Sequence, residues 1–258
     1  MGLESIRGLL LDLSGTIYVD DTRIEGALEA VKALQAARYR LRYITNTTSR
    51  PRRRILQRME KLGLPVAENE VFTAPLAASH VLEAAGHRRC HFLLNKEVLE
   101  EFAAFENDTK HPEAVVIGDI GEDFTYKVLN LAFEHIMEGA AFYALAENRF
   151  FKSGGRIRLD MGPFVKALEY ATGQTAEVIG KPAPAFFHAA VATMSLETGE
   201  VAMVGDDIES DVGGAMQAGL KGILVKTGKY KEEDAARSPV QPDITLDSIA
   251  GLPGLLGI

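Results

Sequence analysis

The sequence predicts an α/β protein: a doubly wound parallel-sheet core carrying an inserted α/β domain. Three features predict it. Short apolar runs alternate with amphipathic stretches of helical period, which is how βα units around a buried parallel sheet read. The 258 residues exceed one small domain but fall short of three, so a core with an insertion is the natural division. A second series of strands and helices interrupts the first, giving a core of 1–78 and 176–258 around an insert of 79–175.

In chain order, Leu9 to Leu13 reads as a strand, Ala27 to Ala37 as a helix and Leu41 to Thr45 as the next strand. Arg52 to Leu62 reads as a helix ended by Gly63, and Val71-Phe72 as a short extended segment. Within the insert, His91 to Leu94, Ala114 to Ile117 and Phe142 to Leu145 read as strands, with helices around Glu97 to Phe102 and Tyr126 to Met137. Val178-Ile179, Val201 to Val204 and Ile223 to Val225 are short β-branched runs expected to rejoin the core sheet. The tail after Lys229, with Pro239, Pro242 and Pro253, reads as loops and a short last strand.

Composition excludes several classes. Hydrophobic residues at 47% and charged residues at 25% are those of an ordinary globular protein, which rules out a wholly disordered or fibrous chain. A net charge of -8 argues against nucleic acid as a partner, and the basic run Arg50, Arg52, Arg53, Arg54 reads as a solvated helix face. No stretch approaches the length of a membrane span, so no membrane partner is expected. Cys90, the single cysteine, has no disulfide or zinc partner and suits a reducing compartment. The first residues lack a secretory signal's basic start and long apolar stretch, and Ile6 stands where a myristoylation motif needs Ser or Thr. A cytoplasmic location is expected.

Four groups follow predicted strands. Asp12-Leu13-Ser14-Gly15-Thr16 places a carboxylate where open α/β sheets bind ligands, although such an Asp also serves as a turn cap. Thr45-Asn46-Thr47 offers hydroxyls and backbone N–H groups to an anion, yet Thr and Asn are ordinary turn formers. Lys181, after Gly180 and before Pro182, taken by itself reads first as an exposed loop lysine. Gly205-Asp206-Asp207 with Asp211 gathers three carboxylates at a strand end and the first turn of a helix; capping accounts for one of them and a bound cation for the others. No Gly-x-Gly-x-x-Gly follows a predicted strand, which removes a dinucleotide-binding reading, and Gly213-Gly214 and Gly219 read as close-packing and helix-ending residues.

The order of these four groups resembles the haloacid dehalogenase superfamily, whose fold is a Rossmann-like core, and the insert resembles the large α/β cap of its cap-bearing branch. The resemblance extends over nearly the whole chain and includes Gly162-Pro163-Phe164, Ala167 to Thr172 and Leu224 to Tyr230. It implies a phosphatase acting on small phosphorylated compounds, with Asp12 as nucleophile forming an aspartyl-phosphate. It implies Mg2+ held by the Asp12 carboxylate, the Ser14 backbone carbonyl and Asp206, with Asp207 and Asp211 acting through water or hydrogen bonds. Thr45 and Asn46 would bind the phosphoryl oxygens, and Lys181 would neutralise charge between nucleophile and phosphate. Glu147, Asn148 and Arg149, in the loop after Phe142 to Leu145, are the candidates for substrate contact from the insert, which is otherwise a polar surface loop; a homodimer through the cap also follows from the resemblance.

Ser14 departs from the pattern. Phosphatases of this superfamily carry a second Asp two residues after the nucleophile, as the acid and base. A serine hydroxyl neither ionises nor takes up a proton to any useful extent at neutral pH, so it cannot serve as that acid and base, and such help is worth about 10²–10⁴ in rate. Leaving groups that need no protonation by the enzyme suffer less, so P–N phosphates, pyrophosphate and aryl phosphates are expected substrates. A phosphate-binding relative with weakened catalysis, or a phosphotransferase to an acceptor other than water, shares the same four groups.

Overall fold

The computed structural model describes residues 3–153 and 156–258. The chain divides into two compact units. One comprises the chain up to Thr45, Arg52–Phe72 and Lys181–Ile258; the other comprises Asn46–Pro51 and Thr73–Gly180, within which the expected insert of 79–175 lies.

The first unit opens with β1 (Gly8–Asp12), a small hairpin of β2 (Tyr18–Val19) and β3 (Thr22–Arg23), then α1 (Ala27–Ala36), β4 (Arg40–Thr45), α2 (Arg52–Lys61) and β5 (Val71–Thr73). Leu9, Leu10 and Leu11 have no exposed surface, because a strand in mid-sheet with cover on both faces takes an unbroken apolar run rather than an alternating one. Truncating any of them to Ala costs about 2–5 kcal/mol. In α1 the buried residues are Ala27, Ala30, Val31 and Leu34, a single stripe at helical spacing that packs into the same core.

The second unit follows with α3 (Ala74–Ala84), β6 (Arg89–Leu93), β7 (Glu106–Asn107), β8 (Ala114–Ile117), α4 (Tyr126–Met137), β9 (Ala141–Ala144), β10 (Phe150–Ser153), β11 (Arg156–Leu159), α5 (Gly162–Thr172) and β12 (Glu177–Val178). The first unit then resumes with α6 (Pro184–Ala192), β13 (Val201–Gly205), α7 (Gly214–Gln217), β14 (Lys221–Val225), α8 (Glu232–Arg237), β15 (Ile244–Leu246) and α9 (Leu252–Leu255). None of the described helices is long and apolar enough to cross a membrane.

The core sheet of the first unit has the order β15-β14-β13-β1-β4-β5, and β1 runs parallel to both of its neighbours. The second unit has its own parallel sheet in the order β12-β9-β8-β6-β7. These are the layers of the α/β class expected from the alternating pattern.

Four expectations change. Val178 pairs with Ala144 of β9, so Glu177–Val178 extends the second unit's sheet and does not join the core sheet. A two-residue apolar run carries no information about its partner strand. The segment expected as a helix around Glu97 to Phe102 is a 3-10 turn over Val98–Phe102. The tail contains α8 and α9 as well as the expected last strand: α8 buries none of its residues and so shows no apolar stripe, and Pro253 sits in the first turn of α9, where its missing N–H costs nothing. Finally, β10 and β11 form an antiparallel hairpin in a stretch for which no element was expected.

Candidate active site

β1 ends at Asp12 and β13 at Gly205, and the two strands are neighbours. From β1 the chain builds the sheet to one side through β4 and β5 and later to the other through β13, β14 and β15. The carboxyl ends beside such a reversal are where open α/β sheets collect ligands. Asp12 pairs in register with Ile44, which puts Thr45 at the same edge, and Leu11 pairs with Val204, which puts Asp206 there too.

The turn after β1 is held tightly. The Gly15 N–H donates to the Tyr18 carbonyl at 2.7 Å, and because the peptide is trans, the Ser14 carbonyl of that same peptide points away from Tyr18. Gly15 has φ +104°, and a Cβ there would overlap the Asp206 carboxylate. Only glycine meets both demands.

Asp12, Lys181, Asp206 and Asp211 are each 5% exposed or less. Lys181 Nζ donates to Asp12 Oδ1 at 2.5 Å and to Asp211 Oδ1 at 2.6 Å. Carboxylate oxygens of Asp12, Asp206 and Asp211 lie within 4.8 Å of one another. Asp207 is only half-buried and accepts from the N–H groups of Glu209 and Ser210, at 3.2 and 2.9 Å, so it is the capping carboxylate of the acidic group. Its own N–H donates to Asp211 Oδ2 at 3.1 Å, which leaves both Asp211 oxygens engaged within the protein.

The electrostatics follow from this crowding. Burial lifts the Asp206 carboxyl to about 8, and the nearby Asp12 and Asp211 charges add to the effect, against the Lys229 N–H that favours the anion. Burial likewise raises Asp211 to about 6, against the opposing pull of Lys181. For Lys181, burial disfavours the ammonium, but Asp12 and Asp211 outweigh it and hold the group charged. Three carboxylates share one bonded ammonium, so the ionised cluster carries two uncompensated negative charges. All-oxygen donors in that surplus are what Mg2+ takes, and the cluster fits such an ion.

Models of two families match the chain: one described as haloacid dehalogenase-like hydrolase over residues 9–107, and one described as HAD-hydrolase-like over residues 178–252. The haloacid dehalogenase-like hydrolase domain-containing protein 2 of Bos taurus is 40% identical over 95% of this chain and 93% of its own length. The chain belongs to the haloacid dehalogenase-like hydrolase family. Another relative, the phospholysine phosphohistidine inorganic pyrophosphate phosphatase of Bos taurus, is 39% identical over 98% of this chain and 95% of its own. Among solved structures, a 4-nitrophenylphosphatase from Thermotoga maritima superposes with a TM-score of 0.93 over 98% of each chain, at 27% identity.

As a haloacid dehalogenase-like hydrolase the chain is an enzyme, and the remaining candidates find these places. Ser14 is exposed in the turn after β1, in a bridge to Tyr18. Asn46 belongs to the second unit, where its side-chain oxygen lies against Gly180 closely enough that no Cβ fits there. Glu147, Asn148 and Arg149 also belong to the second unit. Glu147 pairs with Lys166 at 2.9 Å, the Asn148 carbonyl accepts from the Gly162 N–H at 3.0 Å, and Arg149 is exposed.

Sequence reasoning passed over Thr227, Gly228 and Lys229 of this hydrolase as functional residues. The Thr227 hydroxyl donates to the Gly15 carbonyl at 2.5 Å, and the Lys229 N–H donates to Asp206 Oδ2 at 2.5 Å. A Thr-Gly pair in the turn just after a predicted strand was the available signal.

Proposed function

We propose that this hydrolase is a magnesium-dependent phosphatase of small phosphorylated compounds, with Asp12 as nucleophile. The buried group of Asp12, Asp206 and Asp211 with Lys181 bonded into it carries the reading: an anionic nucleophile, a cation beside it and surplus acidic charge at the mouth of a parallel sheet. The phosphatase names of similar proteins support it.

An Asp12 oxygen bonds to phosphorus while the bond to the leaving group breaks, and the leaving group departs with that electron pair. Water then attacks the aspartyl-phosphate phosphorus, the bond to Asp12 breaks, and the carboxylate returns as inorganic phosphate leaves with the water's oxygen. Lys181, bonded to Asp12, sets a positive charge between that carboxylate and an incoming phosphate dianion. The Thr45 hydroxyl and the Asn46 N–H donate to phosphoryl oxygens. Asp12, the Ser14 carbonyl and Asp206 would hold Mg2+, while Asp211 and Asp207, already engaged in the bonds given above, act at one remove. When bound, the ion supplies charge neutralisation of the transferring phosphoryl group.

Ser14 narrows the substrates. Without a carboxylic acid at that place, leaving groups that depart unaided are favoured, namely P–N phosphates, pyrophosphate and aryl phosphates; the name of the 39%-identical relative points the same way. The second unit is assigned as the cap that selects the leaving group, with Glu147, Asn148 and Arg149 as its candidates. It also supports a homodimer: the β10–β11 register sets Phe150 opposite Leu159 and puts Ile157 on the same face, and all three are exposed. A cytoplasmic site suits the free, buried Cys90.

The test is turnover of alkyl, aryl, P–N and pyrophosphate substrates with Mg2+ and with chelator. The expected result is magnesium-dependent phosphate release that Asp12→Asn abolishes, fastest on the activated phosphates. Undiminished release by Asp12→Asn would overturn the proposal, and phosphate delivered to added alcohols instead of water would mark a phosphotransferase.

A further inference from the structure

The loop after β14 reaches two parts of the site at once. Thr227 Oγ1 donates to the Gly15 carbonyl at 2.5 Å, and two residues on, the Lys229 N–H donates to Asp206 Oδ2 at 2.5 Å. Gly228 between them has φ +60°, and a Cβ on it would strike both Asp206 Oδ2 and the Gly15 Cα. Gly15 faces the same carboxylate from the nucleophile turn, with no room for a Cβ of its own. The Asp206 carboxylate is therefore clasped between two glycines, with Oδ2 taken by a backbone donor.

We infer that Thr227-Gly228-Lys229 is a positioning element that holds Asp206 and the nucleophile turn in the geometry a divalent cation needs. The inference rests on the magnesium reading above. A carboxylate free to rotate presents either oxygen or both; with Oδ2 bonded to Lys229 N–H, Asp206 offers the cation its other oxygen in one orientation. Thr227 acts on the opposite ligand strand. Its bond to the Gly15 carbonyl, with the Gly15 N–H on Tyr18, pins the two peptides on either side of Gly15 and so fixes the Ser14 carbonyl that one of them carries. Without this clasp, both ligands would have to be ordered at the moment of binding, and that entropic cost falls on metal affinity. None of the three residues touches substrate in this role.

The decisive measurement is Mg2+ affinity by calorimetric titration of the full chain without substrate, alongside thermal unfolding in chelator. Thr227→Val keeps the shape and removes the hydroxyl; Thr227→Ser restores the hydroxyl. The inference expects Thr227→Val to weaken Mg2+ binding roughly 10-fold or more, as loss of a group that orients a ligand does, with melting in chelator close to wild type and affinity recovered in Thr227→Ser. Wild-type affinity in Thr227→Val would overturn it, as would equal weakening in Thr227→Ser. Asp206→Asn separates the two claims: if it loses Mg2+ while Thr227→Val does not, the metal reading stands and the clasp falls. If the wild-type chain binds no Mg2+, both fall.

Discussion

Lys181→Met tests the electrostatic logic of the site most directly. The ammonium makes two bonds, 2.5 Å to Asp12 and 2.6 Å to Asp211, among groups that are almost wholly buried. Methionine keeps an unbranched side chain one atom shorter and removes the charge, so the carboxylates stay buried without their partner. Breaking a buried pair in this way costs about 3–5 kcal/mol. At about 2–4 °C per kcal/mol for a chain of this size, melting in chelator at pH 8 should fall by roughly 6–20 °C. At pH 5.5 the deficit should shrink, because Asp206 and Asp211 already lean toward the protonated form and can take up protons instead of remaining as bare anions. Added Mg2+ at pH 8 should recover part of the loss, while turnover stays at least about 10²-fold down because the charge beside the nucleophile is gone. Differential scanning fluorimetry at the two pH values, with chelator and with Mg2+, reads all of this. Equal melting of variant and wild type at pH 8 in chelator, or a larger deficit at pH 5.5, would refute the reasoning.

The raised Asp206 carboxyl, at about 8 against roughly 3.9 in an unfolded chain, means that the folded metal-free protein binds more protons up to that pH. Its stability should therefore decline from pH 6.5 to 8.5 in chelator, and the Mg2+-induced rise in melting temperature should grow over the same range; flat urea midpoints would contradict this. His91 Nδ1 and His135 Nδ1 lie 3.0 Å apart and buried, and burial, with the neighbouring His135, depresses His91 to about 4. The unfolded chain binds the extra proton between about 4 and 6.5, so the contribution of His91 is full above 6.5 and is lost as pH falls toward 4. The His91→Leu/His135→Leu double variant should lack that acid-side loss, of no more than about 3 kcal/mol, when its urea midpoints are compared with wild type. Ser14→Asp meets no packing resistance at an exposed position and should raise kcat/KM for alkyl phosphates by about 10² or more, with little change for aryl phosphates; equal rates in variant and wild type would reject the assigned lack of an acid.

Much of the site was legible because its groups sit at strand ends, and strand ends are visible in local pattern. The run Leu9 to Leu11 announced a buried strand, and Asp12 followed it; Val201 to Val204 did the same for Asp206. One carboxylate of the acidic group is a cap, but which one depended on the turn Ile208–Gly213, whose first N–H groups fall to Asp207. The hairpin β10–β11 and the helix α8 escaped for a different reason. α8 buries none of its residues, so no apolar stripe marks it, and the alternation Arg156-Ile157-Arg158-Leu159 of β11 is only four residues long and wholly exposed.

By itself the sequence determined the α/β class, the strand-end positions of Asp12, Thr45 and Asp206, and the unusual Ser14, since each depends on residues within one βα unit; Lys181 follows a strand of the other sheet. Tertiary structure alone decided which of these groups meet. Lys181 and Asp12 are 169 residues apart, and Thr227 and Gly15 are 212 apart. Thr227 reaches Gly15 because β13 lies beside β1 and β14 beside β13, and strand order is set by packing across the whole sheet, which no local period encodes.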